Sequence, residues 1–231
     1  MIWDIDFAKQ LRHGSSSFDL QVAFQSDAQR LVLFGPSGAG KTQTLKVVAG
    51  LVRADSGHVR IAGRTLFSTA QRVNLSPQRR HLAYVFQDYA LFPHLSVRQN
   101  IAFGRRAGWT NPPRGVRHDA VDRWIETFNL QSVADHHPHQ VSGGQRQRTA
   151  LARALMNDPT ALLLDEPFSA LDKGLRQRLR EDLARLQRKL EIPMLMITHD
   201  DDDVRLLADE VVHLRAGRVA PAADAREAEA A

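Results

Sequence analysis

Three short runs of uninterrupted apolar residues punctuate the chain, and each ends in residues that chemistry can use. Leu31-Val32-Leu33-Phe34 runs into a glycine-rich turn, Ala161-Leu162-Leu163-Leu164 into Asp165-Glu166, and Met194-Leu195-Met196-Ile197 into Thr198-His199. Runs this short, bounded by turn signals, predict strands buried on both faces, as in a parallel sheet. Helical spacing takes over between them. Lys41 to Leu51 puts Leu45, Val48 and Ala49 on one face, and Asp119 to Phe128 does the same with Val121, Trp124, Ile125 and Phe128. From Asp172 to Leu190 a stripe of Leu175, Leu179, Leu183, Leu186 and Leu190 predicts a helix packed on the sheet, closed by Pro193. The first 30 residues and the stretch around Val59-Arg60-Ile61 read as short antiparallel strands joined by turns such as Asp55-Ser56-Gly57. A mostly helical insertion is expected from about 88 to 160, with a loop at 105–117 containing Gly108, Pro112, Pro113 and Gly115. The tail Pro221–Ala231 has no apolar stripe and is expected to fray. The fold class is α/β with a mostly parallel sheet, in which ligands sit beyond the carboxyl ends of the strands.

Composition narrows the classes. At 231 residues, 43% hydrophobic and 25% charged, the chain can bury a large core and is not disordered. It has no cysteine, which excludes disulfide scaffolds, thiolate chemistry and cysteine zinc sites. The N-terminus lacks the layout of a signal peptide, and no apolar run approaches the roughly 18 residues of a membrane span, so a membrane role would pass through a partner. The net charge of +5 is uneven: residues 1–115 hold 15 Lys/Arg against 6 Asp/Glu, and residues 116–231 hold 16 against 20. The basic residues are scattered and lack interleaved aromatics, so nucleic acid is not expected as a partner.

Gly35-Pro36-Ser37-Gly38-Ala39-Gly40-Lys41-Thr42 fits G-x-x-x-x-G-K-[ST] in full, after a predicted strand and before a predicted helix. Its backbone N–H groups and the helix N-terminus make a nest for phosphate oxygens; Lys41 adds a point charge and Thr42 a hydroxyl for magnesium. Gln43 follows in the same turn. A dinucleotide site would want G-x-G-x-x-G and has no use for Lys41-Thr42. Asp165 emerges at the second strand tip, placed to hold magnesium, and Glu166 to orient or deprotonate the attacking water. His199, at the third tip, is a candidate sensor of the γ-phosphate or the water. Gln87 ends the run Ala83-Tyr84-Val85-Phe86 and could touch both magnesium and water. His136, His137 and His139, with His118, are poorly spaced for preorganised metal ligation, and no cysteine or acidic site completes them.

Together with Val141-Ser142-Gly143-Gly144-Gln145, these residues resemble the nucleotide-binding subunit of an ATP-binding-cassette transporter, over roughly residues 15–220. In that resemblance Gly35–Thr42 and Ala161–Glu166 match the two Walker motifs, Gln87 the Q-loop, Ser142–Gln145 the signature, Ser169-Ala170-Leu171-Asp172 the D-loop and His199 the switch histidine. The resemblance implies a P-loop NTPase core with an N-terminal antiparallel β subdomain and an α-helical subdomain inserted at about 88–160, residues 1–220 being the ATPase domain and 221–231 a flexible tail. It implies ATP and Mg2+ as cofactors, with Thr42, Gln87 and Asp165 at the metal and Lys41, Gln87, Glu166 and His199 at the chemistry. It also gives Gly143-Gly144 a purpose: a second anion-holding turn, capped by Ser142 before a helix beginning near Gln145, serves a nucleotide held by another copy in a head-to-tail dimer. Ser169 and Asp172 would lie near the dimer axis.

The segment Arg79–Val97 is most similar to that of bacterial importers for oxyanions, molybdate above all, with sulfate, tungstate and polyamine systems as neighbours. That implies transmembrane permease subunits as partners, a solute-binding protein indirectly, and a place at the cytoplasmic face of the inner membrane. Phe92 and Leu95 either help to receive a coupling helix or pack the insertion onto the sheet. Many such importers carry a C-terminal β-rich domain; a sequence stopping at Ala231 leaves no room for it, so that either regulation lies elsewhere or the sequence is part of a longer chain. Where relatives place an adenine-stacking tyrosine, this chain has Arg12-His13-Gly14, leaving Arg12, His13 or Phe18 for the task. A soluble cassette ATPase of DNA repair or translation would need a long coiled-coil insertion or two tandem cassettes. A purely structural subunit would not need Lys41, Asp165, Glu166 and His199 intact. The run Asp200–Asp203 has no evident purpose in the sequence alone.

Overall fold

The alternation of side chains along the central strands decides where everything else packs. In the computed structural model, which describes residues 1–14, 16–105, 110–113, 115–169 and 173–220, the three apolar runs are the strands β3 (Arg30–Phe34), β8 (Ala161–Asp165) and β9 (Met194–Thr198). Val32, Leu162, Leu164, Met194 and Met196 face one core; Leu31, Leu33, Leu163, Leu195 and Ile197 face the other. A continuous hydrophobic run is thus needed to fill two cores with a period of two. Expectations that fall on Gly108, on Ala170, Leu171 and Asp172, and on the tail from Pro221 lie outside the described residues.

The remaining elements follow in chain order. β1 (Trp3–His13) and β2 (Ser16–Ser26) precede β3, and α1 (Lys41–Ala49) leads to β4 (Ser56–Ile61), β5 (Arg64–Ser68) and β6 (Val73–Asn74). Next come α2 (Pro77–Arg80), β7 (Leu82–Val85), α3 (Val97–Phe103), α4 (Asp119–Thr127) and α5 (Gly143–Leu155). After β8 lie α6 (Lys173–Leu190), β9, α7 (Asp201–Leu207), β10 (Glu210–Arg215) and β11 (Arg218–Val219). Among the described residues the strands form one sheet in the order β6-β5-β4-β1-β2-β11-β10-β3-β9-β8-β7. The half from β10 to β7 is parallel. The half from β6 to β2 is antiparallel.

Two expectations need correction. β1 and β2 are not short: each has 11 residues, paired along their whole length from Trp3–Ser26 to His13–Ser16. Trp3, Ile5, Phe7, Leu20 and Val22 alternate into the core shared with α1, which is why so long a hairpin holds its register. The helix after the glycine turn stops at Ala49, because Gly50 takes a left-handed φ of 80° and its N–H bonds back to Lys46 and Val47 carbonyls. The leucine stripe behaves as expected: Leu179 and Leu183 are buried, and Leu175, Leu186 and Leu190 pack at the edge of the same cluster.

One buried charge lies behind the sheet. Arg80, 1% exposed, donates from Nη1 to the carbonyls of Val47 (2.9 Å) and Val48 (2.7 Å), and from Nε to that of Leu75 (3.0 Å). Burial pulls its pKa down to about 10, so it stays charged at neutral pH. The guanidinium caps the negative end of the α1 dipole and its last carbonyls. Arg80→Met should therefore leave those carbonyls buried without donors and lower the unfolding free energy by about 3 kcal/mol, read as a reduced midpoint in urea denaturation.

Candidate functional site

The glycine turn is held from both sides of the sheet. A Cβ on Gly35 would come within 2.1 Å of the Leu214 carbonyl on β10, so only glycine lets the two strands approach. Gly40, at φ 101°, turns the chain into α1 and accepts from the Thr44 amide at 2.9 Å and from its hydroxyl at 3.0 Å. The Ala39 carbonyl accepts from the Gly217 amide (3.0 Å), tying the β10–β11 turn to the cradle. Lys41 is 4% exposed; its ammonium donates to the carbonyls of Gly35 (2.7 Å) and Pro36 (3.0 Å) and lies 3.5 Å from Glu166 Oε1. The cradle opens on a cleft of about 380 Å³ lined by Leu11, Phe18, Ser37, Gly38 and Gly40 together with Lys41, Thr42, Gln43, Gln87 and Glu166.

The strand tips meet there. Asp165, 4% exposed at the end of β8, accepts from the Thr42 hydroxyl at Oδ1 (3.0 Å) and from the Tyr84 hydroxyl at Oδ2 (2.8 Å). Burial raises its pKa above the ordinary carboxylate value and the neighbouring Glu166 adds to this; the two hydroxyls act in the opposite sense. Glu166 takes a positive φ of 44°, which costs a non-glycine residue about 1 kcal/mol or more. That backbone is fixed by its N–H to the Ile197 carbonyl (3.1 Å) and by the Ser169 amide and hydroxyl donating to the Glu166 carbonyl. The side chain is thereby placed between Lys41 and His199, whose Nδ1 lies 3.2 Å from Oε2. Gln87 borders the same cleft and donates to the Ser169 hydroxyl at 3.1 Å. The two carboxylates, Thr42, Gln87, Lys41 and His199 thus converge on one place. A hydroxyl and a carboxylate oxygen 3.0 Å apart are hard oxygen donors of the kind that suit Mg2+.

The signature stands apart from this cleft. Its helix begins at Gly143, not near Gln145: Ser142 is the N-cap, its side chain accepting from the Gln145 amide (3.2 Å) while Gln145 Oε1 accepts from the Ser142 amide (2.9 Å). Gly143 and Gly144 are the first two helical residues, with N–H groups free of intrahelical partners. Gly144 is buried against α6: a Cβ there would lie 3.1 Å from Leu175 Cδ1 and 3.4 Å from Leu179 Cδ1, so a side chain would have to displace these leucine methyls by a few tenths of an ångström.

Three features escaped the sequence reading. Tyr84 looked like part of an apolar run, yet its hydroxyl reaches Asp165. Arg153, on α5, donates to the carbonyls of Tyr89 (2.8 Å) and Ala90 (2.7 Å), both at positive φ, and lies over the Phe92 ring; Tyr89 donates to the Pro167 carbonyl (3.2 Å). The acidic run now has an account. Asp200 caps α7 by accepting from the Asp202 amide (2.9 Å), Asp203 accepts from Thr198 (2.5 Å) and from Arg180 of α6 (2.5 Å), and Arg180 also pairs with Asp200 at 2.7 Å. A buried arginine therefore grips the carboxylates on the far side of the turn that carries His199. Leu95, at 2% exposure, is core, whereas Phe92 is half-buried against Phe103. Phe18 borders the cleft, while Arg12 is engaged by Gln10; the His13 side chain lies outside what is described. His137 and His139 stack on each other, and among the described residues no group of three or more His, Asp or Glu is arranged to hold a metal.

Comparison with known proteins agrees with this geometry. Residues 19–169 match the ABC transporter family. The chain is 38% identical over 209 residues to the molybdenum import ATP-binding protein ModC of Brucella melitensis, covering 90% of this chain and 57% of that protein. It is 44% identical over 203 residues to the molybdate/tungstate import ATP-binding protein WtpC of Archaeoglobus fulgidus, covering 88% of this chain and 80% of that one. It spans a little over half the length of the ModC relatives it matches. Its fold resembles a dimeric structure of the ATP-binding cassette MJ0796 in a post-hydrolysis state bound to ADP and Pi, with a TM-score of 0.75, 26% identity, and coverage of 96% of this chain and 97% of that one. The phosphate cradle, the paired carboxylates and the capped signature helix thus sit in a fold and a sequence of one kind, and the chain belongs to the ATP-binding-cassette (ABC) transporter family.

Proposed function

We propose that residues 1–220 are the ATPase domain of a bacterial importer subunit that hydrolyses ATP to move molybdate or a related oxyanion. The observation that carries the hydrolytic part is the line Lys41–Glu166–His199 along the mouth of the cradle. The molybdate part rests on the similarity to ModC and WtpC. Among the described residues no helix is long and apolar enough to cross a membrane, so the reading requires permease subunits, and through them a solute-binding protein, with this chain at the cytoplasmic face. Phe92, partly buried beneath Arg153 and bonded through its backbone to the buried Asn100, and its partly buried neighbour Leu91 are the surface offered to the permease.

In this mechanism the amides of Gly35–Thr42 bind the phosphates of ATP, and Phe18 meets the base. Thr42, Asp165 and Gln87 are the residues that would hold Mg2+, which neutralises phosphate charge when bound. Lys41 releases its two carbonyls to meet the γ-phosphate. Glu166, freed from Lys41, accepts a proton from the attacking water, and His199 orients both. Ser142, Gly143, Gly144 and Gln145 of a second copy close over the γ-phosphate, since in one chain they do not line the cleft.

Glu166→Gln should keep ATP binding and lose at least about 100-fold in steady-state hydrolysis, accumulating as a nucleotide-bound dimer in gel filtration. Hydrolysis at the parental rate would remove the base from Glu166. Lys41→Ala should weaken binding of labelled ATP by about tenfold or more, through loss of a charge-assisted contact. Cargo is tested by reconstituting the chain with its permease and binding protein in liposomes: stimulation of ATP hydrolysis by molybdate is expected, and stimulation by sulfate or spermidine alone would reassign it.

A further inference from the structure

We propose that Tyr84 is a positioning residue that ties the strand leading into Gln87 to the carboxylate of Asp165. This rests on the reading above, in which Asp165 holds the metal. Among the described residues β7 is the outermost strand and pairs only with β8, so its position is the least constrained in the parallel half of the sheet. Tyr84 lies opposite Leu163 in register, on the face that packs toward α1, while its neighbours Ala83 and Val85 enter the opposite core. Filling that face needs only an apolar ring, here packed on Phe86 at 4.4 Å. The hydroxyl is surplus to packing, and it is the group that reaches Asp165 Oδ2 at 2.8 Å.

The geometry divides the carboxylate. Thr42 takes Oδ1 and Tyr84 takes Oδ2, so the plane of the carboxylate is set by one donor from α1 and one from β7. Gln87 follows three residues later, and the segment beyond it is clamped by Arg153 and offered to a partner. A displacement of that segment that moves β7 therefore rotates or releases the carboxylate through a single hydrogen bond, without Gln87 having to act. Partners of this kind fix ligand orientation and commonly carry tenfold or more in metal affinity.

The test is Tyr84→Phe in the full chain, saturated with the non-hydrolysed analogue AMPPNP and titrated with Mn2+, following the free-ion EPR signal. The expected result is Mn2+ affinity weakened about tenfold, with metal-free AMPPNP affinity as in the parent. In hydrolysis assays the Mg2+ concentration for half-maximal rate should rise similarly, with little change in kcat at saturating Mg2+. Mn2+ affinity within twofold of the parent would overturn the proposal. So would an equal loss in metal-free nucleotide binding, which would make Tyr84 a packing residue. If the parent itself bound Mn2+ no better than free AMPPNP does, the metal reading of Asp165 would fall first, and this inference with it.

Discussion

A carboxylate buried at the tip of a strand whose every residue is buried is the constraint from which the site is built. Asp165 carries an acid into surroundings that disfavour its charge, and a hydroxyl donor at each oxygen offsets part of that cost. Those donors come from different places in the chain: Thr42 from the first turn after the cradle, Tyr84 from the edge strand. Through these two hydrogen bonds α1 and β7 are both tied to the tip of β8. Glu166, the next residue, is then turned away by its left-handed backbone and directed at Lys41 and His199. Two adjacent acids obtain different surroundings from a single peptide step.

The helix α5 connects what the cleft alone does not. At its start Ser142 caps exposed amide groups, and at its end Arg153 grips the carbonyls after Gln87. Midway, Arg148 pairs with Asp182 of α6 at 2.6 Å. From α6, Arg180 holds Asp200 and Asp203 beyond His199. The turns carrying Ser142, Gln87 and His199 are therefore joined by three arginines along two packed helices. Arginine suits this work because its planar fork meets paired carbonyls or carboxylates with little further loss of freedom.

The sequence made the parallel half of the sheet and the phosphate cradle legible because both depend on contiguous patterns: uninterrupted apolar runs and an eight-residue turn. Helix spacing and the Ser142–Gln145 cap could be read for the same reason, although the helix proved to start two residues earlier. What escaped was long-range and specific to one atom. Nothing local distinguishes a Tyr84 that packs from one whose hydroxyl reaches 81 positions along the chain. The acidic run was visible but had no meaning until Arg180, 20 residues or more before it, was brought beside it. The length of β1 and β2 was underestimated because their outward residues are polar, and only pairing along the full hairpin supplies the missing signal.

Arg80 has a consequence for how the cradle can behave. With its guanidinium fixed to the last carbonyls of α1, and Gly217 fixed to the turn before its first residue, the helix is pinned at head and foot. A slide of α1 along its axis would break hydrogen bonds at both ends at once. The turn before α1 and the strand tips around it therefore share one floor, anchored through Arg80 to the back of the sheet and through Gly217 to the β10–β11 turn.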